Sequence, residues 1–105
     1  MLLIKDIFLN DTNYQDSIYT SEWTNLESSS YTVFTVYCSE DCDIVVNWAV
    51  DNQFQIFDTD TVSLTGGTAE EIVLGTKASF AQYQVLNIAS TPSDLKLQAW
   101  FYTDK

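Results

Sequence analysis

The side chains that could do chemistry form a short inventory in this chain. Histidine and arginine are both absent, which leaves fifteen acidic residues, four lysines and two cysteines. Losing histidine removes the usual general base, the serine–histidine nucleophile pair and the commonest metal ligand together. Paired carboxylates could still run glycoside hydrolysis. The acids, however, fall mostly in turn-like stretches, at Glu40, Asp41, Asp58, Asp60 and Asp94. The expectation is a non-enzymatic protein with no catalytic residues and no cofactor.

Three other groupings merit weighing. Cys38 and Cys42 are separated by Ser39-Glu40-Asp41. A structural zinc takes about four ligands, so two thiols could complete one only across an oligomer. Cysteines ending two facing strands can form a disulfide, although closing so short a loop adds little stability. In a reducing cytosol the pair stays as thiols; the sequence leaves both readings open. Asp58-Thr59-Asp60, and Glu40-Asp41 with Asp43, offer oxygens for calcium. Calcium wants roughly six to eight oxygens, and neither run fits the usual binding loop. Solvated turn acids are the plainer reading, with calcium the weaker alternative. The last grouping is aromatic. Trp100 and Tyr102 alternate with Leu95, Leu97, Ala99 and Phe101, so they mark a second strand face. They are candidates for a protein interface or for stacking on a sugar ring, against the alternative of a covered sheet face. Trp23 is the third such candidate, although core burial is the plainer expectation for both Trp23 and Trp48.

These residues must be carried by strands. Thr, Ser, Val, Tyr, Phe and Ile dominate, in short alternating runs separated by turn residues. Residues 31–37 and 44–50 read as strands, and the tight polar turn between them predicts a hairpin. Residues 54–57, 61–64, 71–74, 83–89 and 95–102 read as further strands. Gly66-Gly67 and the segment around Pro92 supply breaks. Residues 16–19 and 22–26 are expected as short strands, and a single helical turn is expected near 76–80. The sum is one all-β domain over 1–105: a single antiparallel, jelly-roll-like β-sandwich of seven to nine short strands, with a closed barrel as the alternative. Residues 1–12 form either an extended N-terminal arm or the first strand.

Charge narrows the partners. A formal net charge of −11 with scattered lysines at 5, 77, 96 and 105 gives no patch to displace counterions from phosphates. Nucleic acid and anionic membrane surfaces are therefore not expected partners. The opening Met1-Leu2-Leu3-Ile4 breaks at once on Lys5-Asp6, unlike a secretory signal. No run approaches the ~20 apolar residues of a membrane span. Synthesis in a cytosol is expected.

Trp23, the strand at 31–37, the turn around Asp41, the strand at 44–50 with Asp51, and Tyr83-Gln84-Val85-Leu86-Asn87 occur in an order that resembles a group of small β-sandwich domains. These are found in virion proteins of large DNA viruses and tailed phages: minor capsid, decoration, and fibre or receptor-binding modules. The resemblance spans about residues 15 to 103. It implies a structural or attachment role in a virion, through homo-oligomer contacts or contacts with other virion proteins. An N-terminal arm added to a neighbour's sheet edge is one way to assemble. A carbohydrate-binding module or host-receptor attachment domain, with glycan as ligand, is the alternative.

Overall fold

The computed structural model describes residues 2–26 and 31–103, and among these the side chains of 9–26 and 31–99. Nine strands follow one another: β1 (Leu2–Tyr14), β2 (Tyr19–Thr20), β3 (Thr24–Asn25), β4 (Tyr31–Cys38), β5 (Cys42–Ala49), β6 (Asp58–Leu64), β7 (Thr68–Gly75), β8 (Phe80–Leu86) and β9 (Ser93–Thr103). They form two antiparallel sheets. One is ordered β1-β9-β4-β7; the other is ordered β2-β8-β5-β6, with β3 also pairing β8. Taking β2 and β3 as one interrupted strand, this is jelly-roll order, and the molecule is a sandwich rather than a barrel.

Strand alternation builds the core. On β4 the even positions Thr32, Phe34, Val36 and Cys38 are buried, while the odd positions are half-buried on the outer face. On β9 Leu95, Leu97 and Ala99 point inward, as their spacing predicts. The opposing sheet contributes Ile44, Val46, Trp48, Ala81, Tyr83 and Val85. Phe34 and Tyr83 meet across the gap with ring centroids 5.5 Å apart. Each buried side chain of this size contributes roughly 1.5–3 kcal/mol.

Three local expectations are corrected, and one open alternative is decided. β4 and β5 form no hairpin. β4 is already flanked by β7 and β9, and β5 by β6 and β8, so neither has a free edge for the other. The turn at 39–41 instead carries the chain from one sheet to its partner. Residues 54–57 are not a strand, because their backbone bonds close a loop: Phe54 N–H donates to the Asp51 carbonyl (3.2 Å) and Phe57 N–H to the Trp48 carbonyl (3.0 Å). Residues 76–79 form no helical turn. The N-terminal segment does not leave as an arm; it runs antiparallel to β9 of its own chain, with Leu9 opposite Leu97 and Tyr14 opposite Ser93.

Candidate functional site

At the end of the sandwich where β5 finishes, the loop 50–57 carries four large apolar side chains. Val50 is 64% exposed, Ile56 49% and Phe57 56%, with Phe54 beside them at 38%. Such surface costs free energy in water, so its clustering on one loop needs a reason. The loop holds a fixed shape. Asp51 accepts the Gln53 N–H on its carboxylate (3.1 Å) and the Phe54 N–H on its carbonyl. Phe54 takes a left-handed backbone conformation, φ 57°, which is unusual for a bulky residue and costs about 1–3 kcal/mol. Ring packing offsets that strain. The Phe54 ring stacks on Trp23, centroids 5.0 Å apart and planes within 7°, and meets the edge of Phe80 at 5.3 Å.

An ionic clasp flanks the loop. Lys77, from the β7–β8 connection, donates to Asp58 and to Asp60, both at 2.9 Å. Asp60 also accepts the Trp48 indole N–H at 2.8 Å, the one polar atom of a fully buried side chain. The Lys77 ammonium, with help from the Thr59 N–H, holds the Asp58 carboxyl below its ordinary range. The two carboxylates raise Lys77 in return. These acids, nominated for calcium by their spacing, share one internal ammonium, which offsets half of their charge.

The second acidic cluster is also engaged. Asp41 accepts the Gly66 N–H at 2.7 Å, and Asp43 accepts from Ser63 (3.0 Å) and Asn87 (2.9 Å). Among the described residues no group of three or more acids or cysteines is placed to hold a metal.

Trp23 is half-buried and lies outside the core, contrary to the burial expected for it; one face of its indole is covered by Phe54. Trp48 is fully buried as expected. Trp100 pairs in register with Val33, and Tyr102 with Tyr31; their side chains lie outside the described residues, so the stacking role assigned to them is untouched. The structure does not bring Trp23 together with β9, since Trp23 packs at the loop end of the other sheet. Cys38 and Cys42 are both buried, free thiols at the sheet-crossing corner. Burial, then the neighbouring Cys38 sulfur and its hydrogen bond, push the Cys42 thiol up to about 12. Sequence reading missed the loop 50–57 as a site. Its apolar pattern imitates a strand, and only Asp51-Asn52, a turn-forming pair, signalled otherwise.

No protein family's sequence profile matches this chain, and no curated protein matches it. Among solved structures, the chain is similar to one described under the words "Bacillus endospore appendages form a novel family of disulfide-linked pili". The TM-score is 0.55 at 12% sequence identity, over 96% of this chain and 88% of that one. At that identity the likeness concerns the fold.

Proposed function

We propose that this chain is a non-enzymatic structural subunit that assembles with copies of itself through protein–protein contacts. The observation that carries this reading is the exposed apolar loop 50–57. Copies that each carry a net charge of −11 repel one another. A contact between them must use surface that is apolar and poor in charge, and Val50, Ile56 and Phe57 supply it. Burying these side chains offers roughly 1.5–3 kcal/mol each before the costs of association. The likeness to a pilus subunit supports an assembly role as an analogy of fold. The jelly-roll architecture also serves in viral capsids and lectins. Within this proposal the specific setting is a virion, as a capsid-decorating or fibre-type component, on the strength of the sequence resemblance.

The test is size-exclusion chromatography with light scattering on the wild type, Phe57→Asp and Ile56→Asp. The expected result is a closed oligomer for the wild type and a monomer for both variants, with strand content unchanged by circular dichroism. A monomeric wild type at roughly 100 μM, weaker than the ~−5.5 kcal/mol that such association implies, overturns self-assembly.

A further inference from the structure

The outer faces of the two sheets treat their polar side chains differently. On the β2-β8-β5-β6 sheet a central group of them satisfy one another. The Asn47 amide donates to Gln82 (3.2 Å) and Gln84 (2.8 Å), its oxygen accepts from the Thr59 hydroxyl (3.0 Å), and Gln84 donates to Thr20 (3.2 Å). On the opposite sheet the side chains of Asn10, Thr35, Tyr37 and Gln98 have no hydrogen-bond partner among the described residues. These four line a single groove of about 420 Å³ across β1, β9, β4 and β7.

The register explains why the groove is there. Tyr37 pairs with Ala69 on one side and Lys96 on the other, and Lys96 pairs in turn with Asn10. Ala69 is too small to fill the space beside the tyrosine ring. In the next row Thr35 pairs with Gln98. The result is an aromatic wall rimmed by two amides and two hydroxyls, each able to donate and to accept. Lys96 is the groove's one cation. It is bound to Asp94 and lies over the Tyr37 ring, 5.7 Å from its centroid, so its charge is locally compensated.

We propose that this groove is a binding site for a neutral oligosaccharide, with the face of Tyr37 that Lys96 leaves open as the apolar wall and Asn10, Thr35 and Gln98 as hydroxyl partners. A sugar ring presents C–H faces to an aromatic surface and hydroxyls around its edge, which is the pattern the groove complements. Its volume falls in the ~300–1,000 Å³ range of small-ligand sites. Charge selects the neutral class, since a chain at −11 repels sulfated or uronate-rich glycans. In sequence, Trp100 and Tyr102 continue the alternation that begins at Lys96 and Gln98 along the same strand. The proposal does not depend on self-assembly.

The experiment is isothermal titration of the wild type with cellohexaose, maltohexaose and chitohexaose, repeated on Tyr37→Ala and Gln98→Ala. At least one sugar is expected to bind the wild type, and each substitution to weaken it by about tenfold or more, with thermal midpoints confirming that the variants are folded. Thr35→Val serves as the milder variant if Tyr37→Ala unfolds. No measurable binding of any of the three at roughly 10 mM overturns the proposal, as does affinity unchanged by these substitutions. A change in oligomer size on Tyr37→Ala without sugar binding also overturns it and makes the face a subunit contact.

Discussion

At the scale of single residues, the two thiols show how position outweighs spacing. The C-x3-C spacing leaves disulfide and dithiol open. In the structure Cys38 closes β4 and Cys42 opens β5, on facing sheets, and both are buried in the common core. Burial and the adjacent Cys38 sulfur raise the Cys42 thiol from its ordinary value near 9 to about 12. A thiol held protonated is a poor nucleophile. Raising the folded-state value means that above pH 9 the unfolded chain releases this proton while the folded chain keeps it. The folded state therefore binds more protons between pH 9 and 12, and stability falls as pH rises through that window. Burial raises Tyr83 as well, with the same sign at higher pH. Thermal midpoints of the wild type should fall more steeply above pH 9 than those of Cys42→Val, and parallel curves would refute the assignment.

At the scale of elements, the corner at 39–41 joins the two sheets, and sequence located the turn but not the crossing. Strand identity was legible wherever alternation ran long, as in β4, β8 and β9, because one buried face forces a period of two. Pairing was not legible, because the residues of β4 and β5 would suit a hairpin as well as two facing sheets. What decides is which edges other strands occupy, and for β4 those partners come from 30 or more positions away, such as Phe34 with Ile72 and with Ala99. The crossing is held by neighbouring loops. Ser39 exchanges bonds with Asp94, the Ala89 N–H reaches the Asp41 carbonyl, and Gly66 packs directly on the corner backbone. A Cβ on Gly66 would stand 2.8 Å from the Asp41 nitrogen and 2.8 Å from the Glu40 carbonyl carbon. Backbone on both sides cannot give way cheaply. Gly66→Ala should therefore destabilise by about 1–3 kcal/mol, read as a lower urea midpoint with an unchanged slope. Gly67→Ala tests a different cost, since that position has open space but a positive φ of 80°.

At the scale of the whole molecule, charge and apolar surface pull association in opposite directions, and ionic strength tells which contact is made. Composition alone announced the repulsion. It did not announce where repulsion would be overcome, because Phe54, Ile56 and Phe57 look like any buried strand until Asp51 turns the loop outward. Two copies meeting through loop 50–57 would also bring together acids at its margin, such as Asp51 and Asp58. Screening shortens the reach of that repulsion from about 10 Å at 0.1 M salt to about 3 Å at 1 M. Apolar burial gains from salts that are excluded from the surface and loses little to the rest. Raising sodium chloride from roughly 0.05 to 0.5 M should therefore strengthen self-association, measured by sedimentation equilibrium across a concentration series. Assembly that ran instead through ion pairs, with Lys77 leaving its clasp to meet a neighbour's carboxylate, would weaken over the same range. A falling association constant would move the contact away from loop 50–57, and a rising one that is lost in Phe57→Asp would hold it there.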